Sequence, residues 1–220
     1  MKILQIDGGG CKGVIPAIVL SRLEELMGKR CCEVFDQITG TSTGAIIGGA
    51  LAWGMEAKRI EQLYREVLPE LFKFNPLYLL THGVKYDRRK FIAALEREIM
   101  DSNGLMVGDM GGVKTKLVVT AFNLCSGRTH FIQSDNAQEK RIRLVDAISW
   151  SALSAAFYFG KIVEPKFTWS EFRAEGYYRP QEIKGAAFQD GGQGVNNCTL
   201  EYNLIETLAR ASRDKTIIVS

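Results

Sequence analysis

One α/β domain is the fold that this sequence predicts, and three observations carry the prediction. Two glycine-rich turns, at residues 7–13 and 40–44, each join an apolar strand signal to an apolar helix signal. Further strand and helix signals are interspersed along the rest of the chain. The 220 residues, 46% of them hydrophobic, are enough for one sizeable core. No repeat, low-complexity segment or interdomain linker is visible, so residues 1–220 are read as a single domain.

Lys2–Ile6 reads as the first strand. A strand so close to the start predicts that no signal peptide is present. Val14–Met27 reads as a helix, with Ile15, Ile18, Val19, Leu23 and Leu26 at helical spacing. Pro16 fits its first turn, where the missing N–H costs nothing, and Gly28 is a C-terminal stop. Between them lies Asp7-Gly8-Gly9-Gly10-Cys11-Lys12-Gly13, a loop whose glycines let backbone N–H groups face a negative charge. Two readings are open. Gly8, Gly10 and Gly13 fit G-x-G-x-x-G, the dinucleotide fingerprint, with Glu33 or Asp36 as a ribose partner. The same loop could hold the oxyanion of an acyl transfer. Taken alone, it favours the nucleotide.

Residues 35–38 read as a short strand and 45–53 as a buried helix. Between them Gly40-Thr41-Ser42-Thr43-Gly44 has the G-x-S-x-G form of a nucleophile elbow. Ser42 would project from a sharp turn at a helix N-terminus, where free N–H groups and the dipole favour developing negative charge. The alternative is a glycine-rich turn with an N-capping serine, and only partners elsewhere can raise the motif above it.

Residues 55–72 are helical in pattern, with an apolar stripe at Ile60, Leu63, Tyr64, Val67 and Leu71. Residues 71–80 are aromatic and broken by Pro76. They read as core or loop packing, with insertion into a lipid interface as the sharper alternative. Asp87 reads as the N-cap of a helix through Phe91, Ile92, Leu95 and Ile99. Lys85, Arg88, Arg89 and Lys90 cluster at its start, as a solvated helix end or as an attraction to phosphate headgroups. Residues 101–112 read as a loop, and 117–122 with 129–132 as a hairpin. Residues 144–158 read as a closely packed helix carrying Ser149, Ser151 and Ser154. Residues 161–184 read as irregular, wrapping or capping the site. Residues 186–189 read as a strand end before Asp190-Gly191-Gly192, 200–211 as a last helix and 216–219 as a last strand.

A carboxylate between a strand end and two glycines is held at a sheet edge, a usual catalytic place in open α/β sheets. Taken alone, Asp190 reads rather as a turn aspartate whose side chain accepts backbone N–H bonds. A Ser–Asp–His triad needs a histidine after Asp190. There is none, since the only histidines are His82, in a loop, and His130, in a strand. The base for Ser42 is then Asp190. A Ser–Asp dyad works if the carboxylate reaches the hydroxyl and desolvation raises its basicity.

Composition narrows the partners. A net charge of +3 carries no nucleic-acid signature, though a mildly basic surface suits an anionic membrane face. Five scattered cysteines, with Cys31 and Cys32 adjacent, give neither a disulfide framework nor a zinc spacing. Free thiols point to a reducing, cytoplasmic compartment. The longest charge-free stretch near the elbow, 44–55, is too short to span a bilayer.

With three motifs in order, Asp-Gly-Gly-Gly-x-Lys-Gly at 7–13, Gly-Thr-Ser-Thr-Gly at 40–44 and Asp-Gly-Gly at 190–192, the chain resembles the patatin-like phospholipases. Phe35-Asp36, Lys85-Tyr86-Asp87, Ser154-Ala155-Ala156 and Asn196-Asn197 match as well. The resemblance implies a three-layer α/β/α fold with a mostly parallel central sheet. It implies a Ser42–Asp190 dyad that cleaves acyl esters of phospholipids or lysophospholipids at a peripheral membrane surface, without metal or cofactor. It assigns Gly8, Gly9, Gly10, Cys11, Lys12 and Gly13 to the oxyanion hole, reversing the nucleotide leaning. Lys12 stands where the family more often has arginine, and Phe157 and Cys198 where it commonly has proline. Family members continue past the strand that ends here at Val219, so a C-terminal extension is expected.

Overall fold

The computed structural model describes residues 1–99, 108–171, 181–204 and 216–220, with the backbone alone at 169–171, 181–183 and 204. Seven strands form one sheet: β1 (Lys2–Ile6), β2 (Gln37–Thr41), β3 (Lys116–Asn123), β4 (Arg128–Gln133), β5 (Ile162–Glu171), β6 (Gln181–Asp190) and β7 (Ile217–Val219). Their order is β5-β6-β3-β2-β1-β7, with β4 also on β3. Strands β7, β1, β2 and β3 are mutually parallel. Strands β4 and β6 run against β3, and β5 runs against β6. The expected mostly parallel sheet is therefore present as β7-β1-β2-β3, with antiparallel strands β4, β6 and β5 added to it.

One pairing positions the site. A strand has two edges, and β4 takes one edge of β3 from Val118 to Asn123. On the other edge β2 pairs up to Thr41↔Thr120, and β6 pairs from Ala121↔Asp190 onward. So β2 and β6 meet end to end along β3, one residue apart. Each points its C-terminus at the other.

Period-two alternation sorts the sheet residues onto two faces. Leu4, Ile6, Ile38, Leu117 and Val119 face the main core. Against them pack α1 (Val14–Met27), the short α2 (Cys31–Val34), α3 (Thr43–Trp53) and, later in the chain, α8 (Leu144–Ala152). The opposite face is polar yet buried, with Gln5, Gln37, Thr39, Thr41 and Thr120. Buried polar groups need partners. Asn203 supplies several, accepting from Gln37 at 2.9 Å and Thr39 at 3.0 Å and donating to Gln5 at 3.2 Å. It sits in a π-helical turn, Thr199–Leu204, that covers this face. The remainder of the expected helix at 200–211 lies outside the described residues.

Several expected elements hold in detail. Gly28 ends α1 in the left-handed region at φ 62°. Asp87 caps the helix Arg88–Glu98 (α7 below) by accepting the N–H of Arg89 at 3.0 Å. Others differ. The expected helix at 55–72 is α4 (Ala57–Gln62), a π-helical stretch Leu63–Val67 and α5 (Leu68–Leu71). The proline-broken stretch that follows contains α6 (Pro76–His82), with Asn75 as its cap, and α7 comes next. The helix expected at 144–158 stops at Ala152. The stretch read as irregular, 161–184, contributes all of β5 and the start of β6. Most of the loop expected at 101–112 lies outside the described residues, and Met110–Gly112 is a 3-10 turn. No helix among the described residues is long and apolar enough to cross a membrane.

Candidate active site

Ser42 sits where β2 turns into α3. Its φ of 54° makes it the only non-glycine residue with positive φ among the described residues. Such a conformation costs on the order of 1–3 kcal/mol and persists only where neighbours over-determine it. Here they do. Its N–H donates to Ser151 Oγ on α8 at 2.8 Å, and its carbonyl accepts from Ala45 at 2.9 Å. The flanking glycines are steric necessities, because a Cβ at Gly40 would meet the Gly44 carbonyl and one at Gly44 the carbonyl of Ile6. Thr41 accepts from Thr120 Oγ1 at 2.7 Å, and the Thr43 hydroxyl bonds the Tyr64 hydroxyl of the π-helical stretch.

Asp190 ends β6, 148 residues along the chain from Ser42. The Ser42 hydroxyl donates to Asp190 Oδ2 at 2.7 Å. The other oxygen, Oδ1, accepts the N–H of Gly192 at 2.9 Å. Burial pushes the carboxyl above its ordinary range, and the two donors pull it back only in part. Gly191 has no room for a side chain, since a Cβ would press on Thr120. Both glycines of the turn therefore serve the placement of the carboxylate.

The glycine loop lies against the same serine. A Cβ on Gly8 would sit 2.8 Å from Ser42 Cβ. Asn196 clamps the loop, accepting the Gly8 N–H at 2.9 Å and donating to the Gly8 carbonyl at 3.3 Å. Lys12 N–H goes to the Gly9 carbonyl at 3.2 Å. The N–H groups of Gly9, Gly10 and Cys11 have no partner among the described residues. Gly13 is a packing position, where a Cβ would meet Thr43 and Tyr64. Gly9, Gly10, Cys11, Lys12, Ser42 and Asp190 line one cavity of about 550 Å³, which aromatic rings from Phe72, Tyr86, Phe91 and Tyr158 help to wall.

The nucleotide alternative does not fit this arrangement. Asp36 accepts the Lys2 N–H at 2.7 Å and Glu33 the Arg30 N–H at 2.8 Å. The Asp36 contact is at the starts of β1 and β2, the end of the strands away from the loop. The histidines are elsewhere too. His130 bonds the buried carboxylate of Glu139 at 2.6 Å and packs edge-on to Phe167 and Phe188. His82 bonds Thr81 and stacks on Tyr78.

Two residues at the site carry roles that the sequence did not signal. Ser151, read as a small packing residue, holds the elbow's N–H. Arg88, read in a surface cluster, donates to the carbonyls of Leu153 at 2.7 Å, Phe159 at 2.7 Å and Gly160 at 2.5 Å. It thereby fixes the turn after α8 that walls the cavity. Only three or more inward donor groups from one arginine could have hinted at this, and no spacing rule encodes them.

Comparison with known proteins identifies the family. The family model for patatin-like phospholipases matches residues 4–204. The chain is 28% identical over 183 residues to a cGAMP-activated phospholipase of Vibrio cholerae, covering 72% of this chain and 49% of that protein. It is 28% identical over 172 residues to Patatin-17 of Solanum cardiophyllum, covering 71% and 42%. It thus spans about half the length, or less, of these relatives. Among solved structures, VipD from Legionella pneumophila shares the fold at a TM-score of 0.50 and 15% identity, over 87% of this chain and 46% of that one. With a family match running from the first strand to the Asn203 turn, the chain belongs to the patatin-like phospholipases.

Proposed function

We propose that this protein hydrolyses carboxylic esters of phospholipids or lysophospholipids through a Ser42–Asp190 dyad. The observation that carries the reading is the 2.7 Å hydrogen bond from the Ser42 hydroxyl to a half-buried carboxylate. As the serine oxygen attacks the ester carbonyl, Asp190 takes its proton. The raised basicity of a desolvated carboxylate suits that task. The oxyanion of the tetrahedral intermediate is bound by the unpartnered N–H groups of Gly9, Gly10 and Cys11. One such donor is typically worth about 3–4 kcal/mol. Gly8 acts differently, because its N–H is spent on Asn196. Collapse expels the lysophospholipid, or the glycerophosphodiester when the substrate is itself a lysophospholipid; its glycerol oxygen receives the proton from Asp190, and an acyl-serine is left. Asp190 then activates a water, which releases the fatty acid.

The substrate is a lipid taken from a membrane surface. Phe74, Leu77, Leu80 and Phe157 expose large apolar side chains, at 54%, 66%, 83% and 58%. Lys85, at the cavity wall, lies with its ammonium 4.6 Å from the Phe157 ring centre. Apolar groups beside cations suit an anionic bilayer. The five free thiols suit a cytoplasmic setting. The chemistry needs no cofactor or metal.

A fluorophosphonate probe with peptide mapping tests the reading. Stoichiometric labelling of Ser42, together with fatty-acid release from lysophosphatidylcholine, is expected. A folded protein that binds lipid vesicles but leaves Ser42 unlabelled would be a lipid-binding protein and not a hydrolase.

A further inference from the structure

A second cavity lies behind the first. It has a volume of about 120 Å³, and side chains including Ala50, Leu63, Val67, Leu95 and Ile99 line it. Ile46, Leu68 and Phe91 belong to the walls of both cavities. Its polar fringe is largely self-satisfied. Glu98 is paired with Arg59 at 2.6 Å, and the Tyr64 hydroxyl is turned to Thr43. An apolar void of this size costs stability. A cavity of about 150 Å³ with such a lining stays dry and admits a benzene-sized guest.

Position gives the void a use. Ile46 follows Ser42 by one turn of α3, about 5.4 Å along the axis. A chain whose carbonyl carbon lies at Ser42 would reach this shared wall after about four or five carbons, at roughly 1.3 Å per bond along an extended chain. One wall is the π-helical stretch Leu63–Val67, which supplies Leu63, Tyr64 and Val67. Such stretches occur frequently at functional sites, because they break the regular ladder. The Thr43–Tyr64 contact ties this wall to the elbow itself.

We propose that this annex is the terminal part of the acyl-binding site. It receives the methyl end of a medium-length fatty acyl chain and sets the chain length that the protein accepts. This rests on the hydrolase reading only for its kinetic consequence, since occupancy by a fatty acid can be measured without turnover.

The test fills and enlarges the annex from its outer walls. Ala94→Trp places a large ring in it from α7, and Leu63→Ala removes volume from the π-helical wall. The ratio of kcat/KM for p-nitrophenyl decanoate over the butyrate should fall by about tenfold or more in Ala94→Trp. In Leu63→Ala preference should move to longer esters. Ratios within about twofold of the unmodified protein in both variants, each melting cooperatively, would overturn the proposal. Should Ala94→Trp fail to fold, Ala94→Leu and Leu63→Ala carry the same comparison. In parallel, decanoate binding to Ser42→Ala is measured by calorimetry. Affinity that drops about tenfold on adding Ala94→Leu supports the annex, and unchanged affinity overturns it. A protein that binds decanoate in the annex yet hydrolyses no ester refutes the hydrolase reading alone.

Discussion

Replacing Asp190 by asparagine tests the dyad with the least change of shape. The carboxylate makes two contacts, with Ser42 Oγ at 2.7 Å and Gly192 N at 2.9 Å. An amide has one acceptor oxygen. If that oxygen keeps the Gly192 N–H, the NH₂ group meets the Ser42 hydroxyl, and neither can take the serine proton. General-base catalysis contributes about 10²–10⁴-fold. No histidine stands by, so the expected loss in kcat/KM is about 10³-fold, or about 4 kcal/mol at 1.36 kcal/mol per tenfold. Stability should move the other way. Burial raises the Asp190 carboxyl above its ordinary 3.8, so its neutral form stabilises the fold below that value. This contribution is lost as pH rises through the raised folded value. Asparagine carries no such charge. The Tm of Asp190→Asn should therefore gain on the unmodified protein as pH climbs from 3.8 through that window. The assay is p-nitrophenyl butyrate hydrolysis with Tm read across pH. A variant that keeps more than about a tenth of the activity would refute a carboxylate base.

Below the raised Asp190 value the base is protonated, so kcat/KM of the unmodified protein should fall as pH drops through it, with no loss of fold by circular dichroism. His130→Ala should cost stability, about 1–3 kcal/mol, by stripping a partner from buried Glu139, while turnover per folded molecule stays within about twofold. Lost turnover with an intact fold would replace the dyad by a triad. Gly44→Ala should cost about 3 kcal/mol in urea unfolding, since its Cβ meets the Ile6 carbonyl. A change below about 0.5 kcal/mol would show that the elbow has slack. Arg88→Ala should cost about 2–4 kcal/mol and raise KM, because the carbonyls that shape the wall at 153–160 lose their donor. Unchanged KM would mean that the turn holds without it.

What the sequence made legible was local. β1, α1 with its Gly28 stop, the Asp87 cap and the β3–β4 hairpin each depend on periodicity and on one or two end residues. The elbow and the Asp-Gly-Gly turn were equally readable as motifs. Strand β5 and the start of β6 were hidden by their own irregularity. Pairing slips between Glu164 and Thr168, and Gly185 sits at φ 81° against the Pro165 carbonyl. A bulge of this kind breaks the alternation that marks a strand. The helix at 144–152 has no local stop signal, because the chain beyond it is turned by a distant arginine. The polar sheet face was unreadable for a similar reason. Gln5, Gln37 and Thr39 look like surface residues until Asn203 arrives from far along the chain. The residues that meet at the cavity were singled out by their motifs, but the way they meet was not. Asp190 does end a strand, yet that strand runs against the parallel ones and meets β2 nose to nose.

This end-to-end meeting also dates the birth of reactivity during synthesis. While the ribosome is still adding the 148 residues that separate serine from carboxylate, the Ser42 hydroxyl has no Asp190 to accept its proton. At 5–20 residues per second that interval lasts roughly 7–30 s. If the dyad is the catalytic pair, the nascent chain carries an inert hydroxyl throughout that interval. Under the proposed dyad, the serine gains its base only when β6 completes its pairing with β3.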